Sequence, residues 1–303
     1  MSLDDLPPEM VSKILAESHL QSRMKHRAVS SRVAAIIEDL SKQTRSLKLF
    51  GSVDDIHEYC RRLGEVNHCC HPDDLDYWSL SSEHSEDMIL EPGQFHSKML
   101  DLLARLFPNL EHLILHFNSP VYYEQLPYFL SKLPLYAKLK SVSITGMYRV
   151  KNNDHMCILY DILRAINAIP SLTRIDLLAD LRGVAGCNVT AQLAHILPGL
   201  THFASNWHQT SGSITNTLRI LSRSCTYLNI RTASEGAMAS GLAQEFATVP
   251  QSLTRLYLHN LCVSDYVGSS LQWPVSIAGK ALPFDKMRSL QFLYIDMKVC
   301  KNQ

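Results

Sequence analysis

One phrase recurs through this chain and constrains its fold more than any other feature. The segments NLEHLIL (109–115), KLKSVSI (138–144), SLTRIDL (171–177), GLTHFAS (199–205), SCTYLNI (224–230), SLTRLYL (252–258) and SLQFLYI (289–295) each set apolar or small residues on the pattern L-x-x-L-x-L. Their anchors, Leu110, Leu139, Leu172, Leu200, Cys225, Leu253 and Leu290, stand 25 to 37 residues apart. A degenerate eighth copy, TRSLKLF (44–50), starts the series. Alternation of this kind is a strand signal, because successive side chains leave a strand on opposite faces. Recurrence at a period of about 28 residues means that one small unit is stacked many times.

Runs with helical spacing lie between the phrases: FHSKMLDLLARLFP, HMCILYDILRAINAIP, TAQLAHILP, SITNTLRILSR and GAMASGLAQEFATVP. Most end in proline, which cannot continue a helix and marks its stop. The unit is therefore helix, turn, short strand, and it resembles a leucine-rich repeat. The resemblance implies an α/β fold, an irregular leucine-rich-repeat solenoid with parallel strands on a concave face and helices on a convex one. A doubly wound α/β domain also alternates strands with helices. Against it, the strands here share an internal phrase, and no glycine-rich first turn follows any of them. The chain departs from the family's fuller pattern in one respect: the asparagine behind the strand stands only at Asn118, where other units hold Met147, Asp180, His208, Ala233 and Leu261.

In such a strand the leucines face the core and the alternate residues face the concave surface. Those positions hold His112, Ile114 and His116; Ser141, Ser143 and Thr145; Arg174, Asp176 and Leu178; His202, Ala204 and Asn206; Tyr227, Asn229 and Arg231; Arg255, Tyr257 and His259; Phe292, Tyr294 and Asp296. Tyrosine and arginine concentrate binding energy at interfaces. Arg231, Arg255, Tyr257, His259 and Tyr294 are therefore the expected contacts for a protein substrate, the alternative being an ordinary solvated face.

The solenoid begins near residue 43, which leaves residues 1–42 as a separate helical unit, with 43–303 as the repeat domain. DDLPPEMVSKILAE opens it, with Pro7 and Pro8 where a first helical turn tolerates proline and Asp4 or Asp5 available as a cap. Leu6, Met10, Val11, Ile14 and Leu15 form one apolar stripe, and a second helical run spans 20–40. Two such helices cannot enclose all of that surface between themselves, so part of it must meet the solenoid or a partner.

LPPEMVSKIL followed by AVSSRVAAII resembles an F-box, the motif by which substrate receptors join cullin-RING ubiquitin ligases. The family's Leu-Pro is Leu6-Pro7, its acidic position Glu9, its apolar pair Ile14-Leu15 and its later Val-Ser Val29-Ser30. Val33 stands where the family has Trp or Phe, and Ser18 where it has Leu. The resemblance implies that Leu6, Pro7, Glu9, Met10, Ile14, Leu15 and Val29 contact a Skp-type adaptor while the repeats hold an unidentified protein for ubiquitination. The other reading is a ligase-independent scaffold whose first helices only cap the solenoid.

Little else carries chemistry. No G-x-S-x-G, H-E-x-x-H or P-loop motif occurs, so no enzymatic activity and no cofactor is expected. His57, Cys60, His68, Cys69, Cys70 and His71 cluster in HEYCRRLGEVNHCCHP, but only His57 and Cys60 make a plausible zinc pair, and no clean second pair follows. Lysine plus arginine (29) balances aspartate plus glutamate (29), which argues against nucleic acid or an anionic membrane as the main partner. With no basic and apolar leader, and eight scattered cysteines, a reduced cytoplasmic or nuclear protein is expected. The acidic segment 71–97 reads as a long loop. No polar helix follows the last phrase, so its edge is expected to be covered by the tail or a partner, or the chain to be truncated.

Overall fold

The structure is a computed structural model that describes residues 6–16, 23, 25–27, 30–66, 85–90, 97–149, 154–182, 198–208, 221, 223–232, 251–263, 276–277, 280–281 and 287–299. Its strands are β1 (Ser46–Phe50), β2 (Ser85–Ile89), β3 (His112–Phe117), β4 (Ser141–Arg149), β5 (Arg174–Leu177), β6 (Asp180–Arg182), β7 (His202–His208), β8 (Tyr227–Thr232), β9 (Arg255–Val263), β10 (Ser276–Ile277), β11 (Lys280–Ala281) and β12 (Phe292–Val299). Ten of them form one sheet in the order β12-β9-β8-β7-β5-β4-β3-β1-β2, with β6 beside β4. Every described pairing in it is parallel; β10 and β11 make a separate antiparallel pair.

From β3 onward the order in space follows the order in the chain, and the repeated phrase explains why. Its first strand leucine lines up across the sheet as Leu47, Leu113, Val142, Ile175, Phe203, Leu228, Leu256 and Leu293. Two residues on, the row is Leu49, Leu115, Ile144, Leu177, Ser205, Ile230, Leu258 and Ile295. Both rows point into one continuous core, where burying each Leu or Ile contributes about 1.5–3 kcal/mol. A slip of one residue would turn a whole row outward, so burial fixes the register.

The backbone repeats as strictly as the leucines. At seven successive junctions one carbonyl accepts two N–H groups from the next strand: Arg45, Glu111, Lys140, Thr173, Thr201, Thr226 and Thr254 serve in turn, ending with Gln291 N and Phe292 N on Thr254 O at 2.8 and 3.0 Å. A hydroxyl ladder runs beside it. Thr173, Thr201, Thr226 and Thr254 each donate a side-chain hydrogen bond to the carbonyl of the preceding unit, at 3.0–3.3 Å. These threonines, one residue before the strand, satisfy carbonyls along the sheet's lower rim.

Helices α4 (Ser97–Leu106), α5 (Pro120–Ser131) and α6 (Asp154–Asn167) pack on the leucine face, contributing Leu103, Leu106, Tyr123, Leu126, Leu130, Ile162 and Leu163 to the core. The sequence runs around α4 and α6 are helical as expected. Helix α5 is not anticipated by those runs, because Pro127 inside it reads as a breaker; its apolar positions, Tyr122, Tyr123, Leu126, Phe129 and Leu130, nevertheless form one face. The runs expected at TAQLAHILP, SITNTLRILSR and GAMASGLAQEFATVP lie largely outside the described residues.

Helix α3 (Val53–Val66) departs from the one-sided expectation. Ile56 and Tyr59 pack on Phe50 and Ile114, which belong to the opposite face of the sheet. The chain then returns as β2 on the outer side of β1, so residues 85–89 of the supposed acidic loop are an edge strand. The first crossover is thus doubly wound, while α4, α5 and α6 cover the leucine face alone. The phrase around Met88 is too short to announce a strand, yet Met88 and Leu90 are buried in the main core.

At the N-terminus, α1 (Pro8–Ala16) and α2 (Ser31–Ser41) build their own small core from Val11, Leu15, Val33 and Ile37. The helical run expected over 20–40 is broken at Ser30. Ser30 is extended (φ −154°, ψ 156°) and its hydroxyl accepts from Val33 N, so it caps a new helix instead of continuing the old one. Among the described residues two polar links tie this unit to the repeat domain: Arg23, buried, pairs with Glu86 of β2, and Asn109 Nδ2, just before β3, donates to Lys42 O at 2.7 Å.

Candidate functional site

The apolar stripe of α1 divides in two. Val11 and Leu15 turn inward onto α2, Leu15 being 1% exposed, whereas Met10 and Ile14 stay 52% and 43% exposed on the flank. Met10 and Ile14 are one helical turn apart, so they form a single outward ridge, with Leu6 half-buried and Pro7 exposed at its foot. Arg32 Nη2 donates to Leu6 O at 2.6 Å and fixes the approach to the helix. Glu9 is exposed and lines a shallow groove of about 550 Å³ between the helices with Pro8, Lys13, Ile36 and Leu40. Of the expected adaptor contacts, Leu15 therefore serves the helix pair's own core, and Val29 lies outside the described residues.

The second surface is the sheet face opposite the leucines. Toward β1 it is roofed by α3: Tyr59 meets Phe50 and His116 edge-on, at centroid distances of 5.5 and 5.4 Å, and Lys48 Nζ lies 6.0 Å from the Tyr59 ring centre while pairing with Asp87. In the middle it is polar but closed. Asp176 Oδ2 accepts from Ser143 Oγ (2.6 Å) and Arg174 Nε (2.8 Å), and all three residues are buried. The Arg174 guanidinium lies 5.8 Å from the Tyr227 ring centre. Removing one member of so buried a pair leaves a stranded charge, at a cost of about 3–5 kcal/mol.

Toward β12 the face is aromatic. His202 stacks on Tyr227 at 5.4 Å, Tyr227 contacts Tyr257, and Tyr257 contacts Phe292 and Tyr294, which meets His259 at 4.9 Å. The structure brings four expected substrate contacts together here: Arg255, Tyr257 and His259 on β9 and Tyr294 on β12. It corrects the expected exposure. Tyr257 is fully buried, as are His116, Ser143 and Asp176, while Arg255, His259 and Tyr294 are half-buried. Arg231 lies on β8 in register with His259. Alternation alone reads every second residue as solvated, since it carries no information about large neighbours in adjacent strands.

Electrostatics follow the same division. Burial lowers the His112 imidazole, whose Nδ1 lies 2.8 Å from Ser141 Oγ, so the neutral form is favoured. On the rim, a hydrogen bond from Lys140 (2.6 Å) holds the Glu111 carboxyl below its ordinary range, with Arg45 adding its charge at 3.3 Å. Burial pushes the Cys225 thiol up to about 12.

One further place commonly binds ligands in α/β sheets: the crevice where crossovers leave to opposite faces, here between the C-terminal ends of β1 and β3. Side chains fill it. Asp55 accepts from Gly51 N (3.0 Å) and Asn118 Nδ2 (2.9 Å), and the Tyr122 hydroxyl donates to Gly51 O (3.0 Å). A Cβ on Gly51 would lie 2.7 Å from the Tyr122 ring. Asn118, the one position that keeps the repeat pattern's asparagine behind the strand, ties β3 to α3 through Asp55. His57 and Cys60 are exposed on α3, and His68, Cys69, Cys70 and His71 lie outside the described residues. Among the described residues no group of three or more His, Cys, Asp or Glu could hold a metal, and no helix is long and apolar enough to cross a membrane. Comparison with known proteins found no matching family model and no curated protein of significant similarity.

Proposed function

We propose that this chain is a substrate-recognition subunit of a cullin-RING ubiquitin ligase. In this reading residues 1–42 are an F-box-like module that binds a Skp-type adaptor. Residues 43–303 are an irregular leucine-rich-repeat solenoid that holds a protein substrate, and the chain performs no chemistry itself. A cytoplasmic or nuclear site of action follows from that role. The observation that carries the reading is the outward Met10–Ile14 ridge on a helix pair whose own core is already complete. A helix pair that served only as a cap would turn such residues toward the sheet, since leaving two large apolar side chains in water forfeits burial free energy. The in-register strands and seven identical backbone junctions support the repeat half of the reading.

The alternative, a scaffold capped by its first helices, draws on the Arg23–Glu86 and Asn109–Lys42 links, which seat the helices on the sheet's end. Affinity capture of the tagged chain from cells, beside a Met10→Ala/Ile14→Ala variant, separates the two. The proposal predicts that adaptor, cullin and RING subunits accompany the wild type and are lost with the variant. Capture of a folded wild type without those subunits would leave the scaffold.

A further inference from the structure

We draw no further inference here: the strongest candidate, the surface patch of exposed apolar side chains formed by Val121 and Tyr128 on α5 and Leu135 in the turn that follows it, carries nothing because no feature of the structure shows what covers it.

Discussion

Replacing Tyr59 by alanine tests the one helix that lies on the far side of the sheet. Its ring is buried among Phe50, Ile114 and His116, with two edge-on aromatic contacts. A buried tyrosine removes about 150–250 Å² from water, which at about 25 cal/mol per Å² is roughly 4–6 kcal/mol as an upper bound. Large-to-small substitution of an aromatic costs about 3–5 kcal/mol in practice. Among the described residues Ile56 and the Asp55 hydrogen bonds are the other anchors of α3 on this face, so the loss should fall on the helix's own attachment and not on the leucine core. Native-state hydrogen exchange reads this directly. Amides within Val53–Val66 should exchange at least about 100-fold faster in Tyr59→Ala, those of Leu113 and Val142 should change little, and Tyr59→Phe, which keeps the ring, should accelerate them far less than Tyr59→Ala does. Unchanged exchange in α3 would refute the placement of this helix. Equal acceleration in the helix and the leucine rows would refute its independence of the core.

Three other perturbations follow from the same geometry. Gly146 sits at φ +103°, between the part of β4 paired with β3 and the part paired with β6, and a Cβ there would meet Phe117 O at 2.2 Å; Gly146→Ala should cost at least about 1–3 kcal/mol in a urea melt. Mass-spectrometric alkylation should label exposed Cys60 in the native protein and spare Cys225, whose buried thiol stays protonated until the chain unfolds. Because burial lowers the His112 imidazole, the unfolded chain binds the extra proton below about pH 6.5, and stability should decline as pH falls through that value by up to about 1.4 kcal/mol per unit; His112→Gln should flatten the slope between pH 7.5 and 5.5 in denaturant melts.

The phrase that fills the leucine core was legible because it repeats. Leu228 and Leu256 occupy the same rung of the same ladder, and each copy of the phrase reinforces the reading of the others. What stayed hidden has no such redundancy. Tyr59 sits in a helix with ordinary amphipathic spacing, and nothing local says which face of the sheet it will cover; the return of β2 beside β1 decides that. Pro127 marks a stop in most helices, yet the five apolar residues around it carry α5 through. The split of the first helix into Val11–Leu15 and Met10–Ile14 faces was also latent. The stripe is wider than one partner helix can cover, but only the position of α2 shows which half stays exposed. Thr173, Thr201, Thr226 and Thr254 were in plain view at one position of the phrase. The phrase is defined by its apolar positions, and a threonine between them does not by itself announce a hydrogen bond to the preceding unit.

The most direct test of the account is calorimetric titration of a purified Skp-type adaptor into the purified chain, wild type beside Met10→Ala/Ile14→Ala. Both replaced side chains are exposed, so the variant should melt as the wild type does. Loss of a central apolar anchor costs about 2 kcal/mol or more, so the account predicts measurable heat with the wild type and an affinity at least about 30-fold weaker with the variant. A folded wild type that gives no binding heat, or a variant that binds as tightly as the wild type, would contradict it.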